Sequence, residues 1–135
     1  MLKKIDLGTK YEYPFSFSQK DVIAFSEASG DKNPIHLDKS YADKTIFGRT
    51  IIHGFLGGSV FSKVFGNIFP GEGAIYLKQN MTFLNPMLIE ENYVARFEVI
   101  ELISDKNRAI IKTTIFNKKD LIISGEALIQ HNRFG

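Results

Sequence analysis

Cysteine and tryptophan are both absent from this 135-residue sequence. Without cysteine there is no disulfide and no thiolate metal ligand, and nothing asks for an oxidising compartment. No stretch approaches the roughly 18 to 20 uninterrupted apolar residues of a membrane-spanning helix. The basic pair Lys3-Lys4 is followed by no apolar run long enough for a signal peptide. The expectation is a soluble, cytoplasmic protein with no membrane partner. A patch of single-sign charge is missing too. The formal net charge is +2, with both signs scattered, so the basic stripe of a nucleic-acid binder is not there. What is abundant is phenylalanine: twelve of them, suited to broad apolar surfaces that need few hydrogen-bonding tips. The length fits one domain, long enough to bury roughly two thirds of its unfolded-state surface.

Tyr11, Tyr13, Phe15 and Phe17 alternate with polar residues or proline, the period-two signature of a strand with one buried face. Ser18 followed by Asp21 resembles a capping box. Val22, Phe25 and Ala28 or Ser29 share one helical face, and Gly30 sits at a helix C-cap, so a helix is expected from about 18 to 29. From Gly30 to Ile35 the residues cannot continue that helix, because Pro34 drives Asn33 towards an extended conformation; an irregular loop is expected. Asp38 is placed to cap a short turn containing Tyr41 and Ala42.

Phe55, Leu56, Val60, Phe61, Val64, Phe65 and Ile68 recur at three-and-four spacing, marking a helix from about His53 to Phe69 that is apolar around much of its circumference. Such a helix must be nearly enveloped. Gly57 and Gly58 each cost about 1 kcal/mol of helix propensity relative to alanine, which implies a close approach by another element or a ligand. Pro70-Gly71 ends the helix. Four strand patterns follow: Ile75, Leu77, Met81 and Phe83; Tyr93, Ala95, Phe97 and Val99; Ala109, Ile111, Thr113 and Ile115; Ile123, Ala127 and Ile129. With no repeat or linker, residues 1–135 read as a single α+β domain of hot-dog type, an antiparallel sheet wrapped around the long helix.

The ordered choice of Gly30, Asp31, Asn33, Pro34, Ile35, His36 and Ala42 is more specific than an Asp and a His five apart. This loop resembles the signature of the MaoC-like, (R)-specific enoyl-CoA hydratases, or hydratase 2 family. Tyr41-Ala42, the Thr50-Ile51-Ile52-His53-Gly54 run and the late strands extend the resemblance over essentially the whole chain. It implies reversible addition of water across a trans-2-enoyl-CoA to give the (R)-3-hydroxyacyl-CoA, with no cofactor. It also implies a homodimer whose sheets join edge to edge.

That chemistry needs a water beside C3, a base, an acid for C2, and donors for the thioester oxygen as enolate charge develops. The resemblance assigns the water to Asp31 and His36, Asp31 being the base and His36 a water ligand. Asn33 and Pro34 would fix the loop between them. Gly54 matches the residue whose backbone N–H meets the thioester oxygen, and Ser62 matches a position facing the family's pocket. Free helix N-terminal N–H groups and a missing side chain make Gly54 physically apt.

Blander readings compete. Asp31 alone, after a helix-ending glycine, reads as an Asx-turn residue, and a lone His36 as a surface or hydrogen-bonded histidine; the ordered loop favours catalysis for both. His53 reads equally as a residue of the helix cap or as part of the thioester pocket. A metal triad of Asp31, His36 and His53 lacks any compact ligand spacing, so no metal is expected. The Phe stripe at 55, 61, 65 and 69 reads as core. The alternatives in function are a 3-hydroxyacyl-ACP dehydratase working on carrier-bound substrate and a non-catalytic acyl-CoA-binding protein. A hot-dog thioesterase is disfavoured, because the long helix carries no Asp or Glu.

Overall fold

Period-two apolar patterning becomes sheet from Ile75 onward, and period-3.6 patterning becomes a long helix whose apolar side packs on that sheet; its other side, with Phe55, Ser59, Ser62 and Lys63, is exposed, so the helix is amphipathic and not nearly enveloped as expected. The computed structural model describes residues 3–135. The strands are β1 (Lys10–Phe15), β2 (Ile75–Phe83), β3 (Tyr93–Ile103), β4 (Arg108–Asn117) and β5 (Asp120–Gln130). Between β1 and β2 run α1 (Gln19–Ser29), α2 (Pro34–Leu37), α3 (Lys39–Asp43) and α4 (Gly54–Asn67). The sheet is antiparallel in the order β1-β3-β4-β5-β2. Tight turns, with Asn107 and Lys118 at positive φ, join the three central strands.

The expected inward faces of β3, β4 and β5 are all buried: Tyr93, Ala95, Phe97 and Val99; Ala109, Ile111, Thr113 and Ile115; Ile123, Ala127 and Ile129. They close on α4, where Phe61 and Phe65 set their rings edge-on against Phe97 at centroid distances of 5.7 and 5.3 Å. A fully buried side chain of this kind contributes about 1.5 to 3 kcal/mol. The paired glycines permit the contact. A Cβ on Gly58 would lie 2.5 Å from Met81 Sδ, and one on Gly57 3.0 Å from Met87 Cε. The expected close approach therefore comes from the protein's own side chains.

Four further expectations need correction. On β2 the register slips between Tyr76 and Lys78, and this bulge exchanges the two faces. Tyr76 pairs with the buried Ile129 and packs edge-on against Phe65, taking the inward place expected of Ile75 and Leu77; all three stay partly open, at 38%, 50% and 39% exposure for Tyr76, Ile75 and Leu77. On α1 the buried pair is Val22 and Ser26; Phe25 is half-buried, and Ala28 and Ser29 are exposed. Phe55 is exposed, so the Phe stripe is core only at 61, 65 and 69. Finally, the segment expected to be an irregular loop up to Ile35 gives way to a short helix at Pro34. This proline occupies the first turn of α2, where its missing N–H is harmless and its φ is already helical.

Candidate active site

The site is assembled where α1 ends and α4 begins. Ser18 and Asp21 form the capping box that starts α1, and Gly30 ends it with φ 81°, its N–H donating to Ser26 O. A run of short-range bonds then holds the loop. Asp31 N–H donates to Ser29 Oγ (3.1 Å), Asn33 N–H to Asp31 Oδ1 (3.2 Å), and Ile35 N–H to Asn33 Oδ1 (3.2 Å). Asp31 is thus an Asx-turn residue and an exposed carboxylate at once. Asn33 caps α2, and Pro34 stiffens its first turn, so the next turn delivers His36 inward.

His36 is buried, and its Nδ1–H donates to Ile51 O at 2.7 Å. The carbonyl can only accept, so the proton sits on Nδ1 and Nε2 keeps its lone pair. Burial is the main influence on its titration, pushing the imidazole below 6.5. The Ile51 bond opposes this, the neighbouring His53 adds to it, and Asp31 opposes it. A neutral acceptor nitrogen is the result.

His53 is the N-cap of α4 and is 2% exposed. Its Nε2 lies 3.0 Å from Asp31 O and 3.1 Å from Ser26 Oγ, and its ring stacks on His36 with centroids 3.8 Å apart. One donor or acceptor atom from each of Asp31, His36 and His53 falls within 4.8 Å of the others. These three could be read as metal ligands. Two stacked imidazoles, however, point their in-plane lone pairs side by side, which suits one tetrahedral centre poorly.

Gly54 opens α4, and no side chain caps that helix's first turn. Its first N–H groups are left for another acceptor, at the positive end of the helix dipole. Beside it lies an apolar recess of about 420 Å³, walled by Ile51, Ile52, Phe55, Met87 and Ile123. A Cβ at position 54 would meet Phe83 Cε1 at 2.8 Å, so the closeness of that ring also favours glycine. Ser62 is not brought to the pair. It is exposed and eight residues further along α4, about 12 Å at 1.5 Å per residue.

Sequence reasoning left His53 between two readings and missed Ser26 and the Ile51 carbonyl. Ser26 carries a faint signal, as a small polar residue four after Val22 on the buried face of α1.

A single antiparallel sheet packed on the apolar face of one long helix, with Asp31 and His36 brought together near that helix's N-terminal end, defines a hot-dog protein. The chain belongs to the MaoC-like domain family, whose model matches residues 2–120. It is 37% identical over 129 residues to the (R)-specific enoyl-CoA hydratase of Aeromonas caviae, covering 95% of this chain and 96% of that one. It is 38% identical to the 3-hydroxybutyryl-CoA dehydratase of Methylorubrum extorquens, covering 84% of this chain and 72% of the relative. A solved structure of the A. caviae (R)-hydratase superimposes with a TM-score of 0.91 at 37% identity, covering 96% and 98% of the two chains.

Proposed function

We propose that this protein is a hydro-lyase that adds water reversibly to trans-2-enoyl-CoA, forming (R)-3-hydroxyacyl-CoA, with Asp31 and His36 as its catalytic pair. The observation that carries this is that a carboxylate oxygen of Asp31 and a ring nitrogen of His36 lie within 4.8 Å of each other, and each residue keeps one uncommitted acceptor. His36 Nε2 is free because Nδ1 is committed to Ile51, and Asp31 keeps a free Oδ2 because Oδ1 holds the turn. A water between them donates both its protons, one to each, so its oxygen lone pair is directed away from both and towards C3 of a bound substrate. Asp31 takes a proton as the C3–O bond forms, and C2 receives one from the pair. Charge moving onto the thioester oxygen is met by the Gly54 N–H at the start of α4. Asn33 and Pro34 keep the loop in register. The CoA ester is supported by both named relatives, at 37–38% identity, and the (R) outcome by the A. caviae enzyme alone.

The active unit is inferred to be a homodimer joined at the β2 edge. β2 has one strand neighbour, and its edge region exposes Ile75, Leu77 and Phe83, with Phe55 and Leu84 beside them. A bare apolar strand edge favours pairing. Among the described residues no helix is long and apolar enough to cross a membrane. A cytoplasmic setting is inferred from the proposed action on CoA esters.

The test is incubation with crotonyl-CoA, following loss of the enoyl-thioester absorbance and then oxidation of the product by an (R)-specific dehydrogenase. Release of free CoA in place of hydration would sink the reading. Marked preference for carrier-bound substrate would move it to the dehydratase of fatty-acid synthesis.

A further inference from the structure

His53 lies at the centre of the site yet has no part in the chemistry above. Its placement is unusual in three ways. It is almost wholly buried. Its Nε2 spans two elements, reaching the main-chain carbonyl of Asp31 on the loop and the hydroxyl of Ser26 on α1. Its Nδ1 is buried with no hydrogen-bond partner among the described residues.

The tautomer follows. The Asp31 carbonyl can only accept, so Nε2 carries the hydrogen and donates it, with Ser26 Oγ sharing that donor. Nδ1 is then a bare lone pair, which is less unfavourable when buried than an unpaired N–H would be. A buried, imperfectly satisfied histidine is an expensive choice for a helix cap, where Ser or Asp would bond the first-turn N–H groups. It makes no such bond. Something other than capping accounts for it.

We propose that His53 is the positioning residue for the catalytic pair: its Nε2–H holds the Asp31 main chain against α1, and its ring face supports the His36 ring. The proposal rests on the assignment of Asp31 and His36 in the preceding subsection. Among the described residues, Asp31 is otherwise held only by exposed bonds between near neighbours in sequence; the bond from His53 crosses 22 residues and ties it to the start of α4, beside Gly54. One side chain thereby sets the distance from carboxylate to imidazole and from both to the oxyanion donor. His53 is also among the groups that hold His36 below its ordinary value, which keeps Nε2 available as an acceptor.

Two substitutions separate the donor from the ring. Glutamine places its Nε2 amide close to the imidazole Nε2 position and keeps the donor, whereas phenylalanine keeps the stacked face and loses the donor. His53→Phe is expected to lower kcat about 100-fold with KM near the wild-type value, the scale of an ångström-sized misplacement. His53→Gln is expected to recover kcat to within about tenfold of wild type. Wild-type kcat in the Phe variant, or a Gln variant no better than Phe, overturns the proposal. If the Phe variant does not fold, as judged by circular dichroism, the Gln variant decides alone. Turnover within tenfold then supports the role, and a loss as deep as that of Asp31→Asn overturns it. Asp31→Asn measured in parallel guards the foundation, since wild-type turnover in that variant would remove the catalytic assignment itself.

Discussion

Phe61 and Asp31 stand for two regions built by different means. Phe61 is fully buried on α4, with its ring against Phe97, in a core where most neighbours are apolar and each contact is small. Asp31 is exposed and held by hydrogen bonds from Asn33 and His53 and to Ser29, each of them directional. In the first region, free energy accumulates over area and tolerates changes that conserve volume. In the second, little area is buried, and the geometry of a few atoms decides the outcome. Stability and turnover are therefore expected to separate along the chain.

The widest separation comes from exchanging one residue in each region. Asp31→Asn keeps an Oδ1 to accept from Asn33 N–H, so the turn survives while the basic oxygen is lost. Turnover of crotonyl-CoA should fall about 10²- to 10⁴-fold with thermal stability nearly unchanged. Phe61→Ala empties part of the core and should cost about 3 to 5 kcal/mol in denaturant unfolding, while the folded fraction keeps kcat near wild type. If Asp31→Asn unfolds the protein, or Phe61→Ala abolishes turnover in a folded sample, the two regions are not separable in this way.

The same contrast marks what the sequence revealed. β3, β4 and β5 were legible because alternation over many residues averages out local exceptions. α4 was legible for the same reason, its bounds differing from expectation by only one or two residues. On β2 the reading failed at one place, where the bulge beside Tyr76 exchanges the two faces; no residue type there announces it. In the loop, the order of Asp31, Asn33, Pro34 and His36 pointed to a site, and the hydrogen bonds of Asn33 explain why that order folds. The part played by His53 was not legible. Its meaning lies in a stack on His36 and a bond to Asp31, both set by tertiary placement.

Acidification links the two regions, and it should act on both with one sign. Burial first, and His53 after it, hold the folded-state His36 below 6.5. Between that lowered value and 6.5 the unfolded chain binds more protons than the folded one, so this contribution to stability is complete above 6.5 and lost as pH falls through the window. Protonation also fills the Nε2 lone pair to which the proposed mechanism assigns the water. Turnover and stability should therefore both decline on the acid side, with the midpoint for turnover below 6.5. His36→Ala should flatten this part of the stability profile in urea titrations at stepped pH. A profile unchanged by that substitution would assign the acid sensitivity to another group.

The smallest effect gives the finest comparison, because it applies one substitution twice on the same helix. Gly58 and Gly66 both lie within α4, and alanine is favoured over glycine in a helix interior by about 1 kcal/mol. At Gly66 nothing lies within 4 Å of the added methyl. The propensity gain should appear almost whole, as about 0.5 to 1 kcal/mol of added stability. At Gly58 the methyl would meet Met81 Sδ at 2.5 Å, well inside van der Waals contact. Overpacking of this kind costs about 1 to 3 kcal/mol, so after the propensity gain the variant should be neutral to about 2 kcal/mol less stable. The difference between the two alanine variants then measures how tightly β2 is drawn onto α4. Equal gains at both positions would mean that Met81 swings aside freely and that this side of the core is looser than the contact implies.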